Sequence, residues 1–555
     1  MVKRRVSYRK KAQTRSQKRQ STKGKKTSPA KGKTQRDSLF FDRNLVKKAR
    51  ALASSITLPI QKMIREKTTV SIERATLRLL GVTGSVIGND QHPMPYVNIV
   101  VDKILRRGIL NRGVLTTIAH MMDTTGRNFM ETTEGLANGT IPLAYGENLP
   151  KAPTLQLIDR MAKAAVQNII EKGRQKARNQ ENILNRKEPL RYVIVATGNI
   201  KEDAEQAKAA VEGGADIIAV IRSTAQSLLD YVPEGITTVG FGGTFATQEN
   251  FHYMRQSLND IGKEKGRYIY LTNYSSGLCM PEIAAMAALE DLDMLLNDAM
   301  YGILFRDINM KRTLIDQYFS RLICSANKIY IQTGEDNYLT TADAFESSHQ
   351  VLASQFINEC FAVRAGLTAN YICLGHAFEM APNIEDQILW EIAQAQVIRQ
   401  IFPESPIKYM PPTKHKTGDF FWSNLYDGMF NLVGILTGQS IQLLGMATES
   451  LHNPKMQDRY WSLKNANYVF NAARHLGEEV QWRKGGRMEK RVGQVLQKTL
   501  GLLKKINQVG LLKAISNGWF ADVSRSPKGG KGLEGVIDKG KEYWNPVWKN
   551  LENKH

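Results

Sequence analysis

Short apolar segments alternate with amphipathic segments from Arg191 to Met446, and this alternation constrains the fold more than any other feature of the chain. The predicted strands are residues 191–199, 215–223, 235–244, 267–277, 294–303, 328–336, 371–376, 407–412 and 441–446. The helices predicted between them are residues 202–214, 249–266, 281–291, 310–323, a long helix that ends near Ala365, 385–402 and 424–436.

These strands are short and apolar and show no clean polar alternation, as expected of strands that are buried on both faces. Eight or nine β/α units of this size are what a (β/α)8 barrel, or TIM barrel, needs. An open doubly wound sheet would need a glycine-rich nucleotide fingerprint at its first turn, and residues 196–200 (ATGNI) do not supply one. The sequence therefore predicts an α/β protein with a TIM barrel at residues 191–449.

The predicted barrel is flanked by two segments in which helix dominates. Apolar residues recur at helical spacing in residues 39–190, for example in Leu45–Ile64, which indicates an N-terminal helical accessory segment. Residues 450–555 form a C-terminal accessory segment with a strongly amphipathic helix at Arg487–Ile506. Its loop at 526–536 is rich in glycine and lysine but lacks the GxxxxGK[ST] spacing of a phosphate-binding loop.

The positive charge of the chain is concentrated at its N-terminus. Residues 1–38 hold 15 of the 76 Lys and Arg residues and a single acid, Asp37, so the formal net charge falls from +23 to +9 without them. Because this composition cannot bury a core, we predict a disordered tail, with a weak polyanion-binding arm as the alternative. Nucleic-acid binding by the folded region is not expected.

The rest of the composition indicates a cytoplasmic protein. No uncharged apolar run approaches the ~18 residues of a membrane-spanning helix, so no membrane association is expected. The N-terminus lacks the apolar core of a secretory signal. The four cysteines lie far apart with no CxxC pair, which argues against a disulfide framework and a zinc site and fits a reducing compartment.

In a barrel the active site lies at the carboxyl ends of the strands, so the polar residues that follow each apolar run are the candidates. They are Thr197, Asn199, Arg222, the 240–244 turn, Asn273, Tyr274, Ser276, Asn297, Asp298, Tyr301, Arg306, Asp336, Asn337, His376 and Lys408. The set contains no HExxH motif, no pair of acids at glycosidase-like spacing and no GxSxG elbow, which counts against those reaction classes.

Three of these candidates leave alternatives open. Arg222, followed by Ser227 and Tyr231, could bind a phosphate, or it could pair with a neighbouring acid such as Asp230. His376 could ligate a metal, but a hydrogen-bonded structural histidine is the favoured interpretation because no second ligand stands at metal-site spacing. Lys408 could serve as an anion clamp or as a Schiff-base nucleophile.

Long stretches of the chain resemble the α subunit of lysine 5,6-aminomutase. They include YVIVATGNI, DIIAVIRSTAQSLLDYVP, TTVGFGGTFATQENF, NYSSGLCMPEIAAMAALE, LNDAMYGILFRDINMKRTLIDQYFSR, TGEDNYLTTADAFE and KYMPPTK. The resemblance begins near Phe41 and extends to the end of the chain, including GGKGLEGV, but the basic residues 1–38 are not part of it.

The resemblance implies a radical isomerase that uses pyridoxal 5'-phosphate (PLP) and adenosylcobalamin to move the terminal amino group of D-lysine or L-β-lysine to the adjacent carbon. It implies a PLP-binding TIM barrel whose terminal segments clamp the adenosyl group. A smaller β subunit would carry the cobalamin-binding Rossmann domain and the lysine that anchors PLP. The implied assembly is a heterotetramer of two α and two β subunits.

The resemblance also implies roles for the matching residues. Arg222 and Ser227, with Tyr231, would hold the PLP phosphate, Ser276 would face the pyridine nitrogen, and Tyr301 would stack on the ring. Asp336 and Asn337 would lie near the imine and the phenolic oxygen. Lys408 would pair with the substrate carboxylate, with Arg306 shaping the same wall. Tyr301, Asp336 and Lys408 are thus the implied catalytic residues.

Cobalamin binding by this chain itself is not expected. The base-off type of cobalamin module uses a DxHxxG motif, and the nearest match here, residues 90–95 (DQHPMP), has proline in place of the glycine. The cobalt should therefore come on the β subunit, without which the chain should catalyse nothing. Two other hypotheses remain: a related aminomutase that acts on ornithine or another diamino acid, and a nucleic-acid-associated protein that works through residues 1–38.

Overall fold

The computed structural model describes residues 39–87, 93–143, 149–221, 223, 225–449, 451–452 and 454–554. The predicted tail at residues 1–38 lies outside this part of the chain, so its disorder stays a prediction. None of the helices in the described part is long and apolar enough to cross a membrane.

Helices dominate the segment before the barrel. Its elements are α1 (Arg43–Arg65), β1 (Lys67–Thr69), α2 (Val70–Leu79), β2 (Ser85–Ile87), β3 (Pro93–Pro95), α3 (Tyr96–Arg106), α4 (Val114–Thr125), α5 (Phe129–Asn138) and α6 (Ala152–Asn179). Helix α1 begins where the Asp42 side chain accepts a hydrogen bond from the Asn44 N–H, and it buries Ile56, Ile60 and Ile64 at helical spacing. Helix α2 is buried along its whole length.

Eight parallel strands close into a barrel, which confirms the predicted fold class. They are β4 (Leu190–Val195), β5 (Ile217–Val220), β6 (Tyr270–Tyr274), β7 (Met294–Leu296), β8 (Tyr330–Gln332), β9 (Ile372–Ala377), β10 (Ile407–Met410) and β11 (Ile441–Leu443). Neighbours in sequence are neighbours in the barrel, and β11 pairs with β4 to close it. Most strand residues are buried, as expected of strands covered on both faces.

Helices follow the strands, and polar residues at the carboxyl ends of the strands often cap them. The helices are α7 (Ile200–Glu212), α8 (Gln248–Lys265), α9 (Met280–Leu289), α10 (Ala299–Arg306), α11 (Met310–Asn327), α12 (Tyr338–Thr341), α13 (Ala344–Arg364), α14 (Gln387–Ile401) and α15 (Phe420–Thr437). Asn199, Thr247 and Asp298 accept backbone N–H bonds at the starts of α7, α8 and α10. These caps fix where each loop over the barrel mouth ends.

Two of the predicted strands are wrong in whole or in part. Residues 235–244 form an irregular loop, because Gly235, Gly242 and Gly243 adopt positive φ angles that an extended strand does not allow. Residues 294–303 form a strand only as far as Leu296, because the Asp298 cap begins α10. Of the eight or nine predicted β/α units, eight supply a strand to the barrel.

The C-terminal segment is mainly helical and returns to the N-terminal segment. Its elements are α16 (Met456–Ala472), α17 (Leu476–Glu479), α18 (Arg487–Val509), α19 (Leu511–Ser516), β12 (Val536–Asp538) and α20 (Pro546–Glu552). Strand β12 pairs antiparallel with β1, with Thr68 opposite Ile537. The two accessory segments thus contact each other outside the barrel, although the predicted domain boundaries at 39–190, 191–449 and 450–555 stay a prediction.

Candidate active site

A buried ion pair lies at the mouth of the barrel. Lys408 Nζ on β10 is 2.6 Å from Asp336 Oδ2, and the two side chains are 1% and 0% exposed. Asp336 follows β8, so its carboxylate must reach across β9, where Gly375 pairs with Lys408. A Cβ atom at Gly375 would lie 2.9 Å from Asp336 Oδ1, so glycine is the residue that lets this carboxylate approach.

The ion pair keeps Lys408 charged. Burial by itself lowers the pKa of the Lys408 ammonium, but Asp336, with Tyr274 and Tyr301, outweighs burial and holds that pKa above its usual value. A lysine that stays protonated is a poor nucleophile, but its ammonium group is a good hydrogen-bond donor to anions. Of the two interpretations offered by the sequence, the geometry therefore favours the anion clamp.

Two tyrosines share this interior space. Tyr274, at the end of β6, was a candidate from the sequence, and burial, the largest cause, raises the pKa of its hydroxyl. Tyr192 on β4 was missed, although burial, Tyr274 and Asp336 together raise its pKa as well. The sequence feature that could have identified Tyr192 is its place in the middle of an apolar strand, where a tyrosine hydroxyl needs a polar neighbour inside the barrel.

Tyr301 and Arg306 lie together on α10. Tyr301 is 6% exposed, and Arg306 Nη2 donates to its hydroxyl at 2.9 Å. The Tyr301 ring also contacts Phe305, with 5.5 Å between the ring centroids. This contact and the hydrogen bond hold the Tyr301 ring in one orientation.

One carboxylate joins α10 to the turn that carries Asp336 and Asn337. Asp298 Oδ1 accepts the Met300 N–H at 3.1 Å, and its Oδ2 accepts the Gly334 N–H at 2.9 Å. A Cβ atom at Gly334 would lie 2.8 Å from Tyr301 Cβ, so the turn lies directly against the aromatic side chain. Asn337 Nδ2 then donates to Asp336 Oδ1 at 3.0 Å. The structure thus brings Tyr301, Asp336 and Asn337 together.

A buried polar network beneath this turn was not found from the sequence. Glu335 Oε1 accepts from Asn358 Nδ2 at 2.7 Å, and Arg321 Nη2 donates to Asn358 Oδ1 at 2.9 Å. Burial, with the nearby Asp298 carboxylate, raises the pKa of Glu335 to about 8. Asn358 and Arg321 lie in the middle of long helices, where sequence pattern cannot show that two helices meet at one carboxyl group.

The predicted phosphate site can be placed only in part. Ser227 is 1% exposed in a short turn after β5, Ala225–Leu228, and Ser276 is 0% exposed after the neighbouring strand β6. Tyr231 is partly buried. Arg222 lies outside the described residues, so its role stays a prediction. Its suggested alternative partner Asp230 receives two other guanidinium groups, from Arg74 at 2.9 Å and Arg312 at 3.0 Å.

His376 does not face the ion pair. On the neighbouring strand β10, the residue opposite His376 is Tyr409, and the two rings stack with centroids 5.3 Å apart. Burial lowers the pKa of His376 to about 3, so the ring is neutral. No hydrogen-bond partner for either ring nitrogen is found within the described residues, so the hydrogen bond expected of a structural histidine is not seen there. Nor do those residues include a group of three or more potential metal ligands.

Residues 39–550 match the family described as the D-lysine 5,6-aminomutase TIM-barrel domain of the alpha subunit. The chain belongs to this aminomutase family. It is 51% identical to the lysine 5,6-aminomutase alpha subunit of Acetoanaerobium sticklandii, over 93% of this chain and 99% of that protein. The corresponding protein of Fusobacterium nucleatum is 50% identical, over 92% of this chain and 98% of that protein.

A more distant relative is a subunit of a different aminomutase. The D-ornithine 4,5-aminomutase subunit beta of Acetoanaerobium sticklandii is 26% identical to this aminomutase chain, over 65% of the chain and 50% of that protein. The similarity to lysine 5,6-aminomutase alpha subunits, in contrast, extends over nearly the full length of both chains. The resemblance stated from the sequence is therefore confirmed.

Proposed function

We propose that this chain is the catalytic barrel subunit of a lysine 5,6-aminomutase that uses PLP and adenosylcobalamin and acts on D-lysine or L-β-lysine. The supporting observation is the buried Lys408–Asp336 pair at the mouth of the barrel, in a chain about half identical to two such alpha subunits. When bound, adenosylcobalamin supplies an organic radical and PLP supplies a conjugated system that delocalises it.

The residues at the mouth fit a flat phosphorylated cofactor. Ser227 and Ser276 offer buried hydroxyl groups on neighbouring loops, and Tyr301 offers a buried aromatic ring. We assign Ser227, with Arg222 and Tyr231, to the phosphate, because a phosphate needs several convergent donors. Ser276 would face the pyridine nitrogen, and this neutral partner would leave the nitrogen unprotonated. Tyr301 would contact the ring face.

The ion pair would orient the substrate. An ammonium group has three donors, so Lys408 can keep Asp336 and still bind the carboxylate of a diamino acid. Asp336 and Asn337 would lie near the reactive edge of the cofactor, and Arg306, fixed to Tyr301 at 2.9 Å, would shape the wall beside them. Burial of these groups excludes water, which protects reactive species formed in the site.

The rim of the barrel supports the need for a partner subunit. The segments after β5, β10 and β11 expose large apolar side chains, among them Phe241 at 82%, Phe421, at the start of α15, at 85%, and Leu451 at 63%. Exposed apolar groups concentrated at one end of a protein mark an interaction surface. We assign this surface to a β subunit that carries the cobalamin and the PLP-anchoring lysine, in an assembly of two α and two β subunits. The proposed location is the cytoplasm, which suits four cysteines that are all free thiols.

Reconstitution tests this function directly. With the β subunit, PLP and adenosylcobalamin, the chain should convert D-lysine or L-β-lysine into a product whose amino group has moved from C6 to C5. That product has a new terminal methyl group, which proton NMR detects as a doublet. Either subunit alone should give none, and turnover by the isolated chain would contradict the proposal.

Ornithine is the second substrate candidate, because the chain is related to a D-ornithine 4,5-aminomutase subunit. The lower identity to that relative favours lysine. We expect kcat/KM for D-lysine to exceed that for D-ornithine, since one methylene group alone is worth about 10- to 200-fold in a fitted site. A reversed ratio in the same assay would reassign the substrate without changing the reaction class.

A further inference from the structure

The turn Ala225–Leu228, which carries Ser227, is held by hydrogen bonds to the segments around it. Gln226 is fully buried, and its side chain makes two bonds to Ala246: Nε2 donates to the carbonyl at 2.8 Å, and Oε1 accepts the N–H at 2.7 Å. The Ser227 carbonyl accepts the Leu278 N–H at 3.4 Å. The turn is therefore tied to the loops after β5 and β6.

Three side chains from other elements meet just after this turn, at Asp230. Arg74 Nη1 donates to the Asp230 carbonyl at 2.6 Å and to its carboxylate at 2.9 Å. Arg312 Nη2 donates to the same carboxylate at 3.0 Å, and Asn98 Nδ2 donates to the carbonyl at 2.9 Å. Both the backbone and the side chain of Asp230 are thus fixed.

The two arginines stabilise the charged form of the Asp230 carboxylate. Burial alone would raise the pKa of Asp230, but Arg312 and Arg74 outweigh it and hold the pKa below its usual value. Arg74 also bonds Asp102 at 2.7 Å, and Arg312 also bonds Asp316 at 2.9 Å. Both arginine side chains are almost fully buried, at 4% and 0% exposure. Removal of Arg74 would leave Asp102 without this cation, and removal of Arg312 would do the same to Asp316.

The two arginines come from different parts of the chain. Arg74 lies on α2, in the helical segment that precedes the barrel, and Arg312 lies on α11. Arg312 Nη1 also donates to the carbonyl of Gly532, in the glycine-rich loop of the C-terminal segment, at 3.2 Å. Asp230 is therefore the point where both accessory segments are linked to the loop after β5.

We propose that Arg74 and Arg312 are positioning residues that act through Asp230 to hold the turn Ala225–Leu228 in the geometry that binds the cofactor phosphate. This inference rests on the proposed function. Its physical basis is pre-organisation: a loop that must be ordered when the phosphate binds weakens binding, whereas a loop already fixed does not. The N-terminal helical segment would then control cofactor affinity from outside the barrel.

The test compares Arg74→Met with Arg255→Met in the full chain assembled with its β subunit. Arg255 is the matched control, because it is 7% exposed and makes a 3.0 Å ion pair with Asp293, before β7 and hence at the opposite end of the barrel. The dissociation constants of PLP and of pyridoxal, which lacks the phosphate, are measured by equilibrium dialysis, with the thermal unfolding midpoint beside them.

We expect Arg74→Met to weaken PLP binding about 10-fold more than Arg255→Met does, since loss of one charged hydrogen-bonding group has an effect of this order. Pyridoxal binding should be unchanged in both variants, and Arg74→Lys should recover part of the PLP affinity. If Arg74→Met does not assemble, Asn98→Ala removes one donor to Asp230 and should weaken PLP binding about threefold.

Two results would overturn the inference: equal PLP losses in the Arg74 and Arg255 variants, or a loss in Arg74→Met that is the same for PLP and pyridoxal. Ser227→Ala separates this failure from failure of the proposed site. If Ser227→Ala weakens PLP binding but Arg74→Met behaves as its control, the phosphate site stands and only the positioning role falls. If Ser227→Ala leaves PLP affinity unchanged, the phosphate assignment itself is wrong.

Discussion

The rim of the barrel has two parts, one covered by the C-terminal segment and one that exposes apolar side chains. After β7 and β8, the C-terminal segment lies over the rim: Arg525 Nε donates to the Ile303 carbonyl at 3.0 Å, and Thr341 Oγ1 donates to the Ala521 carbonyl at 3.2 Å. After β5, β10 and β11, the rim instead exposes apolar side chains such as Phe241 and Phe421. The chain covers one part of its rim with its own backbone and leaves apolar side chains exposed on the other, which is the surface that we assign to a partner subunit.

The candidate site lies between these two parts. Asp336 follows β8, on the covered part, and Lys408 lies on β10, next to the exposed part. Their ion pair links the two parts directly. Tyr301, which we propose contacts the cofactor ring, is thus held by contacts within this chain, whereas Lys408, which we propose binds the substrate, borders the surface that we assign to the β subunit.

The largest effect is expected from breaking that link. Lys408→Met leaves the Asp336 carboxylate buried without its cation, which costs about 3–5 kcal/mol of unfolding free energy. Urea unfolding of the isolated chain measures this loss. In the assembled enzyme the same variant should raise KM for lysine and lower kcat, because the substrate carboxylate loses its partner. PLP affinity should be nearly unchanged, and its loss would identify Lys408 as a cofactor anchor.

A double variant separates stability from catalysis. Lys408→Met with Asp336→Leu removes both charges and should recover most of the unfolding free energy, because a buried ion pair can often be replaced by apolar groups. Activity should stay low. If activity returned together with stability, the pair would have only a structural role.

The second effect tests the exposed part of the rim. Phe241→Glu with Phe421→Glu places two charges on the surface assigned to the β subunit. The dissociation constant of the α–β complex should rise at least about 100-fold, since buried aromatic anchors dominate interface energy. The unfolding midpoint of the isolated chain should hardly change, because the two side chains are 82% and 85% exposed. Calorimetric titration of one subunit with the other measures the affinity.

Val363→Glu is the control for this double variant. Val363 is 55% exposed near the end of α13, away from the carboxyl ends of the strands. It should leave the dissociation constant unchanged. Equal weakening by both sets of changes would show that the apolar rim is not the interface.

The sequence predicted the barrel because burial on both faces leaves a direct mark on composition: apolar strands such as Ile217–Val220 have no polar alternation. It failed at residues 235–244, where Ile236, Val239 and Phe241 have the side chains of a strand. Their glycine neighbours set the backbone instead, and these apolar side chains are exposed on the rim. Apolar composition alone could not tell a buried strand from an exposed loop.

The grouping of the candidate residues was predictable where polar residues lie at or soon after the end of a strand. Asp336 and Asn337 follow β8, Tyr301 lies on α10 after β7, and Lys408 lies on β10. They lie together or in linked contacts, and their roles stay predictions. Contacts between distant elements were not predictable. Arg74, Asn98 and Asn358 lie on helices whose sequence gives their buried face but not the partner that the face meets. Proximity in space, rather than residue type, was the missing information.

The smallest expected effect is on the pH dependence of stability. It compares two buried acids, Glu335, which precedes β9 in the chain, and Glu379, which follows it. Burial raises the pKa of both Glu335, after β8, and Glu379, after β9, to about 8. Because each folded-state pKa lies above the unfolded value, each acid stabilises the fold fully below about pH 4.5, and this stability is lost as pH rises towards 8. Glu335→Gln mimics the neutral acid, so its gain in unfolding free energy should be about 2.5 kcal/mol greater at pH 7.5 than at pH 5.5.

Glu379→Gln should change the pH dependence of stability in the same direction, but the two variants should differ in the enzyme. Glu335 adjoins Asp336 in the chain and shares Asn358 with Asp298, so ionisation of Glu335 acts on the turn that carries Asp336, which we propose lies near the substrate. Glu379 accepts the Thr413 N–H at 3.0 Å, on the loop after β10. We therefore expect KM for lysine to rise between pH 7 and 9 in the unaltered enzyme, Glu335→Gln to flatten this rise, and Glu379→Gln to leave it unchanged. Identical KM profiles for the two variants and the unaltered enzyme would confine Glu335 to a structural role.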